Sequence, residues 1–364
     1  MNREVKYPQI VAISNINGTL YFKAYNFPGT FMLKKGSDTL SVIQEMDKPF
    51  TWHPFMHSDC VNYKNILVFV PYVEAEFITI LDTESLKFLY IKNIGKYRYK
   101  KAIVYEDGIY MFGEPFDGGR RMRLDMNSLN VKNITWKGED VKPAITFDNG
   151  CRINNKVYWP NFGCGTICIF DFENKTTKKV QIKNVDIPIL TVAFDGEYFW
   201  LSGIGDEILI WDERENKIIQ VIQLEKTDRE CPWDMRFSSA SIMGEYIYFS
   251  PVYYKKMIRI HLKSKKIEDV FEIKNDEVCW NICEIGHDRI YVDVTNYKDN
   301  KSRNYVISAD GVIKENNEEF SIQNCYFQEN LFENSDNRLE MLIDYLVLSH
   351  AKQSERIQEK KSNR

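Results

Sequence analysis

Short apolar runs alternate with polar turns along most of the chain. Residues 191–224 show the pattern most clearly, with four runs rich in Ile, Val, Phe, Tyr and Trp that read TVAF, EYFWLS, EILIWD and KIIQVIQL. An Asp195-Gly196 pair, a Gly-containing stretch and a charged stretch separate these runs. Runs of this length joined by such turns are typical of antiparallel strands. The pattern therefore predicts a four-stranded meander.

Two markers of this meander recur along the chain. An aromatic-rich second run lies around Tyr21, Val68, Tyr110, Tyr158, Trp200, Tyr248 and Tyr291, and an apolar run that ends in a polar turn lies at Asp82, Asp125, Asp171, Asp212 and His261. Both markers return at intervals of roughly 40–50 residues, which is the period of β-propeller blades. We therefore predict an all-β fold, a β-propeller of seven four-stranded blades. Two stacked β-sandwiches are the alternative, but they require no sustained period.

At the level of the fold, the repeat resembles the β-propeller superfamily that includes WD40 and kelch repeats. The Trp211-Asp212 pair looks like a WD40 element, but it occurs once and lacks the Gly-His partner, and the kelch double-glycine signature is absent. The resemblance implies a fold and no particular ligand or reaction.

The pattern changes after Ile313. Residues 320–327 read as a last strand that could close the ring by pairing with the N-terminal strands. Residues 335–357 predict a helix with Ser335 as its N-cap and an apolar stripe that contains Leu339, Leu342, Ile343 and Leu346. We therefore divide the chain into a propeller, 1–318, and a closing strand with a C-terminal amphipathic helix, 319–364. The helix either packs on the ring or binds a protein partner or a second copy.

Composition and charge narrow the class of partner and the expected location. Lys plus Arg number 48 and Asp plus Glu 52, so the net charge of −4 gives no global reason to expect a nucleic acid or a membrane partner. The first residues lack the apolar core of a signal peptide, and no later run approaches about 18 apolar residues, so we expect a cytoplasmic protein. The eight cysteines are then expected to be reduced thiols.

The two faces of the predicted ring differ in their loops. The blade connectors and the turns from second to third strand share one face, here called the connector face; the other turns form the turn face. Aromatic residues recur on the connector face, at Tyr25, Phe27, Trp52, Tyr72, Phe116, Phe162, Trp233, Tyr253, Tyr254, Trp280 and Tyr297. Surface loops usually favour small polar residues, so this composition predicts ligand binding there.

The candidate ligand-binding residues lie in or beside connectors that lead into the innermost strands. They are Trp52, His53, His57, Arg98, Tyr99, Arg152, Trp233, Asp234, Arg236, Trp280 and Asn281. An arginine grips a carboxylate or phosphate with two hydrogen bonds, and an aromatic ring offers a face to a sugar or a cation. Alternatively, the same residues join neighbouring blades to one another.

The sequence supports a metal site less strongly than it supports ligand binding at the connector face. His53, His57 and Asp59 form an H-x3-H-x-D cluster, but Pro54 argues against the helix that would bring both histidines to one side. Cys164 and Cys168, like Cys279 and Cys283, are four residues apart, about 13 Å on an extended chain, which is too far to share one ion. We expect a hydrogen-bonded loop, buried thiols, no metal and no cofactor.

No phosphate-binding loop, nucleophile elbow or zinc-protease motif occurs in the sequence. The leading hypothesis is a recognition or scaffold propeller that binds a small polar ligand or a peptide at the aromatic-rich face of the central channel. The alternative is a hydrolase or lyase for a sugar-like substrate, with Arg152, His57 or Asp234 at the channel mouth. Whether the chain is an enzyme stays open at this point.

Removal of residues 335–364 tests the two roles of the predicted helix. Burying four or five of its apolar side chains contributes several kcal/mol at roughly 1.5–3 kcal/mol each. If the helix packs on the ring, the truncated protein should melt at a lower temperature. If it binds a partner, the melting temperature should be unchanged and only the association lost. Calorimetry with size-exclusion chromatography checks both, and no change in either would refute both roles.

Overall fold

The computed structural model describes residues 10–24, 30–34, 40–43, 57–72, 77–92, 98–113, 120–141, 143, 145, 149–161, 163–226, 236–284, 288–296 and 302–316. These residues form seven antiparallel sheets, the blades of a seven-bladed propeller. The chain divides into two units, and all described strands belong to the first, Met1–Ser321.

The strands follow the chain blade by blade. Blade 1 contains β1 (Ile10–Ile16), β2 (Thr19–Ala24), β3 (Thr30–Leu33) and β4 (Leu40–Ile43). Blade 2 contains β5 (His57–Tyr63), β6 (Ile66–Pro71), β7 (Phe77–Asp82) and β8 (Lys87–Lys92). Blade 3 contains β9 (Tyr99–Tyr105), β10 (Gly108–Gly113), β11 (Arg121–Asp125) and β12 (Val131–Asn133). Blade 4 contains β13 (Lys137–Gly138), β14 (Cys151–Ile153), β15 (Lys156–Pro160), β16 (Thr166–Asp171), β17 (Thr176–Gln181). Blades 5 to 7 contain β18 (Ile189–Phe194), β19 (Phe199–Gly203), β20 (Glu207–Asp212), β21 (Lys217–Gln223); β22 (Phe237–Met243), β23 (Tyr246–Pro251), β24 (Lys256–His261), β25 (Ile267–Glu272); and β26 (Glu277–Glu284), β27 (Arg289–Asn296), β28 (Ser302–Ser308), β29 (Ile313–Asn316).

Six blades have the predicted four strands, and blade 4 has five. Its extra strand, β13, pairs in parallel with the outermost strand β17. Each sheet takes its strands from one continuous stretch of chain, and β26 of blade 7 contacts β1 of blade 1, which closes the ring. The predicted closing strand and the predicted helix lie outside the described residues. No helix in the described part is long and apolar enough to span a membrane.

The six junctions between consecutive blades each bury a separate apolar cluster. The junction of blades 4 and 5, for example, contains Phe199, Leu201 and Trp211 from one side and Ile167 and Ile169 from the other. The clusters fill the spaces between sheets because neither face of a blade is covered by its own strands. The described core is therefore a series of clusters, one at each junction from blades 1 and 2 to blades 6 and 7.

Both sequence markers correspond to definite positions in the blade. Counted outward from the innermost strand, the aromatic marker lies on the second strand of every blade, and the polar marker is the last residue of the third strand in blades 2 to 6. The Asp82 carboxylate accepts hydrogen bonds from the backbone N–H groups of Glu84 and Ser85 at 3.0 and 2.8 Å. His261 takes the same role through Nδ1, which accepts from Lys263 and Ser264 at 3.2 and 3.1 Å. The marker thus satisfies backbone donors of the turn.

A left-handed residue completes the same turn. It stands four positions after the marker in blades 2 to 6, with φ between 48° and 60°, at Leu86, Leu129, Lys175, Asn216 and Lys265. A φ in this left-handed range crowds Cβ against the backbone and disfavours most residues other than Gly, Asn and Asp. Leu86 is therefore strained by its own backbone.

The innermost strands share a bulge near their first residues. One extra residue interrupts the pairing with the second strand in six blades, at Val11, Ser58, Lys100, Leu190, Ser238 and Trp280. This end of the inner strand follows the blade connector, so the bulges form one layer on the connector face. Bulges bend a strand and redirect its side chains, often beside functional sites.

Side chains in this layer bond the start of the next inner strand. The hydroxyl of Ser58 donates to the carbonyl of Tyr99, and the hydroxyl of Ser238 donates to the carbonyl of Cys279 at 3.1 Å. In blade 4, which lacks the bulge, the amide of Asn149 donates to the carbonyl of Leu190 at 3.0 Å. These contacts fix neighbouring inner strands relative to each other.

Two exposed leucines of blade 2 test the turn strain. Leu86, at φ 55°, is 41% exposed, and Leu89 on β8 is 46% exposed. Leu86→Gly should raise the free energy of unfolding by about 1 kcal/mol because glycine accepts positive φ. Leu89→Gly should lower it by about 0.5–1 kcal/mol because glycine is unfavourable within a strand. Urea denaturation checks the two values, and a decrease for both variants would contradict the turn geometry.

Candidate ligand-binding site at the connector face

Only some of the predicted site residues lie in the described part of the chain. Trp52, His53, Trp233 and Asp234 lie outside the described residues, as do Tyr25, Phe27, Phe116, Phe162 and Tyr297. Trp280 and Asn281 belong to β26, but their side chains are outside the described part. His57, Arg98, Tyr99, Arg152 and Arg236 are described, and they do not form one group.

His57 begins β5 and is buried between blades 1 and 2. Its Nε2 atom lies 3.2 Å from the hydroxyl of Thr79, and its ring packs 5.6 Å from that of Phe69. Lys23 of β2 is also buried, and its Nζ atom stands 4.7 Å from the centre of the Phe69 ring. Burial and the nearby Lys23 charge lower the pKa of His57 well below its ordinary value, so the imidazole is neutral at physiological pH.

Asp59 links blades 2 and 3. Its Oδ1 atom lies 3.1 Å from Lys101 Nζ, and its Oδ2 atom accepts a hydrogen bond from the Ala102 N–H at 2.9 Å. Burial, reinforced by Asp59, raises the pKa of the neighbouring Cys60 thiol well above its ordinary value. The Asp59 carboxylate is buried, and its charge-assisted contacts with Lys101 and the Ala102 N–H fix β5 against β9.

Tyr99 is fully buried at the start of β9. Burial raises the pKa of its phenol, which keeps the group neutral. Its backbone carbonyl accepts from Ser58. Tyr99 therefore belongs to the junction of blades 2 and 3 rather than to an open binding surface.

Cationic residues cluster at the connector-face end of blade 3. Arg98, Lys100 and Lys101 lie at the start of β9, and Arg120 and Arg121 at the start of β11, on either side of Gly113 in the sheet. We call these five residues the blade 3 cationic rim. A Cβ added to Gly113 would stand 3.0 Å from the carbonyl oxygen of Arg120 and 3.4 Å from that of Arg98. A glycine therefore lets the two arginine backbones approach each other.

Aromatic rings accompany two of these cations. Lys100 Nζ lies 4.7 Å from the centre of the Tyr72 ring, and the Arg121 guanidinium 5.1 Å from that of Phe170. Burial lowers the pKa of Arg121, although Asp140 acts in the opposite direction. Arg98 and Arg120 are exposed. The rim thus combines two exposed guanidinium groups with two cations that pack on rings.

Arg236 and Arg152 have structural roles in different places. Arg236 Nε donates to Asp206 Oδ1 at 2.7 Å, which joins the start of blade 6 to a connector-face turn of blade 5. Arg152 is two residues from the Asn154-Asn155 hairpin, at the turn face, and donates to the carbonyl of Val104 at 2.6 Å. Arg152 and His57 therefore lie at opposite ends of their inner strands, Arg152 at the turn face and His57 at the connector face.

The described aromatic loop residues turn inward. Tyr72 and Tyr254 are buried, and the Tyr254 ring packs 5.4 Å from that of Phe237, whereas Tyr253 is only half-buried. Cys168 and Cys279 are buried thiols, and Cys168 Sγ lies 2.9 Å from Asn161 Oδ1, whereas Cys164 and Cys283 are only half-buried. In the described part of the chain, no three His, Cys, Asp or Glu side chains meet in a possible metal site.

Several residues of this region were not among the predicted ligand contacts, including Lys23, Lys101, Arg120 and Arg121. A polar residue in an otherwise apolar strand was the available signal for Lys23, in TLYFKA, and for Thr79, in FITILD. The contact of Lys101 with blade 2 depends on how two blades pack, which a single-strand pattern does not contain.

Comparisons with known proteins match this chain through its fold alone. No family model matches the sequence, and no curated protein matches it. Among solved structures, the chain is similar to a crystal structure of the computationally designed Ika8 protein, with a TM-score of 0.56 and 8% identity over 90% of this chain and 93% of that chain. At this identity the likeness extends to architecture and carries no function.

The buried histidine predicts a dependence of stability on pH. His57 has a lower pKa in the folded than in the unfolded chain, where it is about 6.5, so below that pH only the unfolded chain gains the proton. Stability should therefore fall by up to about 1.4 kcal/mol per pH unit from about pH 6.5 downward, until the folded pKa is reached. His57→Gln should remove this component in urea denaturation at several pH values.

Lys23→Met provides a second test of the effect on the pKa of His57. Removing the Lys23 charge should raise the pKa of His57 in an NMR titration, whereas Lys64→Met, at an exposed turn-face residue, should not change it. An unchanged pH dependence in His57→Gln would mean that another group is responsible.

Proposed function

We propose that this protein is a recognition module that binds a small anionic ligand, with carboxylate or phosphate groups, at the connector-face end of blades 2 and 3. The observation that carries the proposal is the blade 3 cationic rim. Its five basic residues stand at the starts of β9 and β11, on either side of Gly113, in a chain whose net charge is −4. A local field of this kind concentrates anions near the surface.

The chemistry of the rim suits carboxylate and phosphate groups. Arginine presents a fork of N–H donors that matches carboxylate and phosphate, and Arg98 and Arg120 flank one glycine with exposed side chains. Two described carboxylates lie near the rim: Asp59 is bonded to Lys101 and Ala102, and Asp140 acts on Arg121. The proposal therefore gives Arg98 and Arg120 the direct contacts, and gives Lys101 and Asp59 the role of holding the inner strands.

The neighbouring buried groups support binding more than catalysis. His57 and Tyr99 are both buried, which leaves neither group open to a substrate. Their packing holds blades 1, 2 and 3 in a fixed arrangement, and a preorganised surface loses less entropy on binding.

Titration with pyrophosphate and with citrate tests the proposal. The full chain should bind at least one of these probes in isothermal titration calorimetry, more weakly as salt increases. The double variant Arg98→Glu/Arg120→Glu should weaken binding by about tenfold or more, since each lost charge contact contributes on the order of 1 kcal/mol.

Matched charge reversals on the turn face provide the control. Lys175→Glu/Lys263→Glu changes the net charge by the same amount at two exposed residues and should leave the affinity unchanged. Absence of binding for both probes at millimolar concentration, or equal weakening in the two double variants, would contradict an anion site at the rim.

A further inference from the structure

A groove of about 430 Å³ lies at the outer part of the junction between blades 4 and 5. Val185, Ile187 and Leu209 supply apolar surface, and Ile218 and Val221 of β21 continue it. Charged side chains of both signs border it, with carboxylates from Asp186, Glu207 and Glu215 and ammonium groups from Lys183 and Lys217. The groove is separate from the blade 3 cationic rim.

The strand beside the groove is an unusually uncharged edge. β21 is the outermost strand of blade 5, so one side of its backbone has no strand partner in the described sheet. No charged side chain occurs from Ile218 to Gln223, and Ile219 and Val221 are 43% and 45% exposed. The corresponding strand of blade 6, β25, carries Glu268, Asp269 and Glu272. Charges on an edge discourage strand addition, and β21 carries none after Lys217.

The junction of blades 3 and 4 shows how an added strand can pair with the edge of an outermost strand. Between blades 3 and 4, β13 adds to the edge of β17, and the hydroxyl of Thr177 donates to the carbonyl of Glu139 at 2.7 Å. Trp136, just before β13, packs 5.7 Å from Phe170 and 5.0 Å from Phe172. An added strand and one large apolar side chain thus occupy that junction.

A close approach of backbones makes this addition possible. Gly138 has φ 108°, and a Cβ at this position would stand 2.3 Å from the carbonyl oxygen of Thr177. The segment that contains β13 comes from the long connection between β12 and β14. The connection between β17 and β18 covers only residues 182–188, so blade 5 receives no such strand from it.

We propose that the groove between blades 4 and 5 binds an extended peptide segment of a partner protein, which adds a strand to β21 and inserts a large apolar side chain toward Leu209. Three carboxylates against two ammonium groups favour a Lys or Arg beside the inserted residue, as Lys137 follows Trp136 in the internal segment. Main-chain hydrogen bonds supply affinity in this mode, and side-chain pockets supply specificity.

Selection from a phage-displayed library of linear dodecapeptides on the full-length protein tests this proposal. The enriched peptides should contain an aromatic or large aliphatic residue next to Lys or Arg. Fluorescence anisotropy with the most enriched peptide should give a measurable Kd, and Val221→Lys should raise that Kd at least tenfold. Hydrogen exchange should show new protection of backbone amides in β21 when the peptide is bound.

Leu89→Lys is the matched control, since Leu89 is 46% exposed on the outermost strand of blade 2. It should leave the Kd unchanged, and both variants should retain the melting temperature of the parent protein. Failure to enrich any peptide, or equal loss in the two variants, would overturn the proposal. A dimer that Val221→Lys dissociates would also overturn it, because the occupant would then be a second copy of the chain.

Discussion

Burial of apolar side chains between neighbouring blades is the interaction on which the rest of this structure depends. A four-stranded sheet has two apolar faces and no means of covering either by itself. Each junction between consecutive blades solves this with its own cluster, and Trp159, Trp200 and Trp211 are among the side chains that become fully buried. The stability of any blade is therefore tied to both of its neighbours. A change in one cluster should therefore affect both blades that form the junction.

The polar layer of the connector face depends on that packing. Ser58, Asn149 and Ser238 reach the first residues of the next inner strand only because the clusters beneath hold the blades at a fixed separation. Blades 1 to 3 add buried ionisable groups to this layer, with Lys23 beside a neutral His57 and Asp59 bonded to Lys101. Such groups are costly to bury unless paired, and blades 5 to 7 bury others, among them Arg236, which pairs with Asp206, and Glu277, which pairs with Arg303.

The repeat was predictable because each blade carries its own local signals. The aromatic second strand and the polar residue that ends the third strand depend only on neighbours in sequence, and both were found at the expected positions. β13 was not foreseen, since two residues paired in parallel with a distant strand leave no periodic signal. Arg152 was expected beside a connector and lies at the turn face, because Asn154-Asn155 is a hairpin that the connector assignment overlooked. The contacts of Lys101 and Arg236 cross between blades and require the packed ring.

Every described sheet is contiguous in sequence, and this arrangement has an evolutionary consequence. Where the two ends of a chain share a sheet, adding or deleting a repeat must preserve that shared strand. Among the described residues, each of the seven sheets has four or five strands of its own, and the first and last meet through the packing of β1 against β26. Duplication or loss of one whole blade would leave no sheet short of a strand. As far as the described strands go, the number of blades in descendants of such a gene is then limited by the geometry of ring closure.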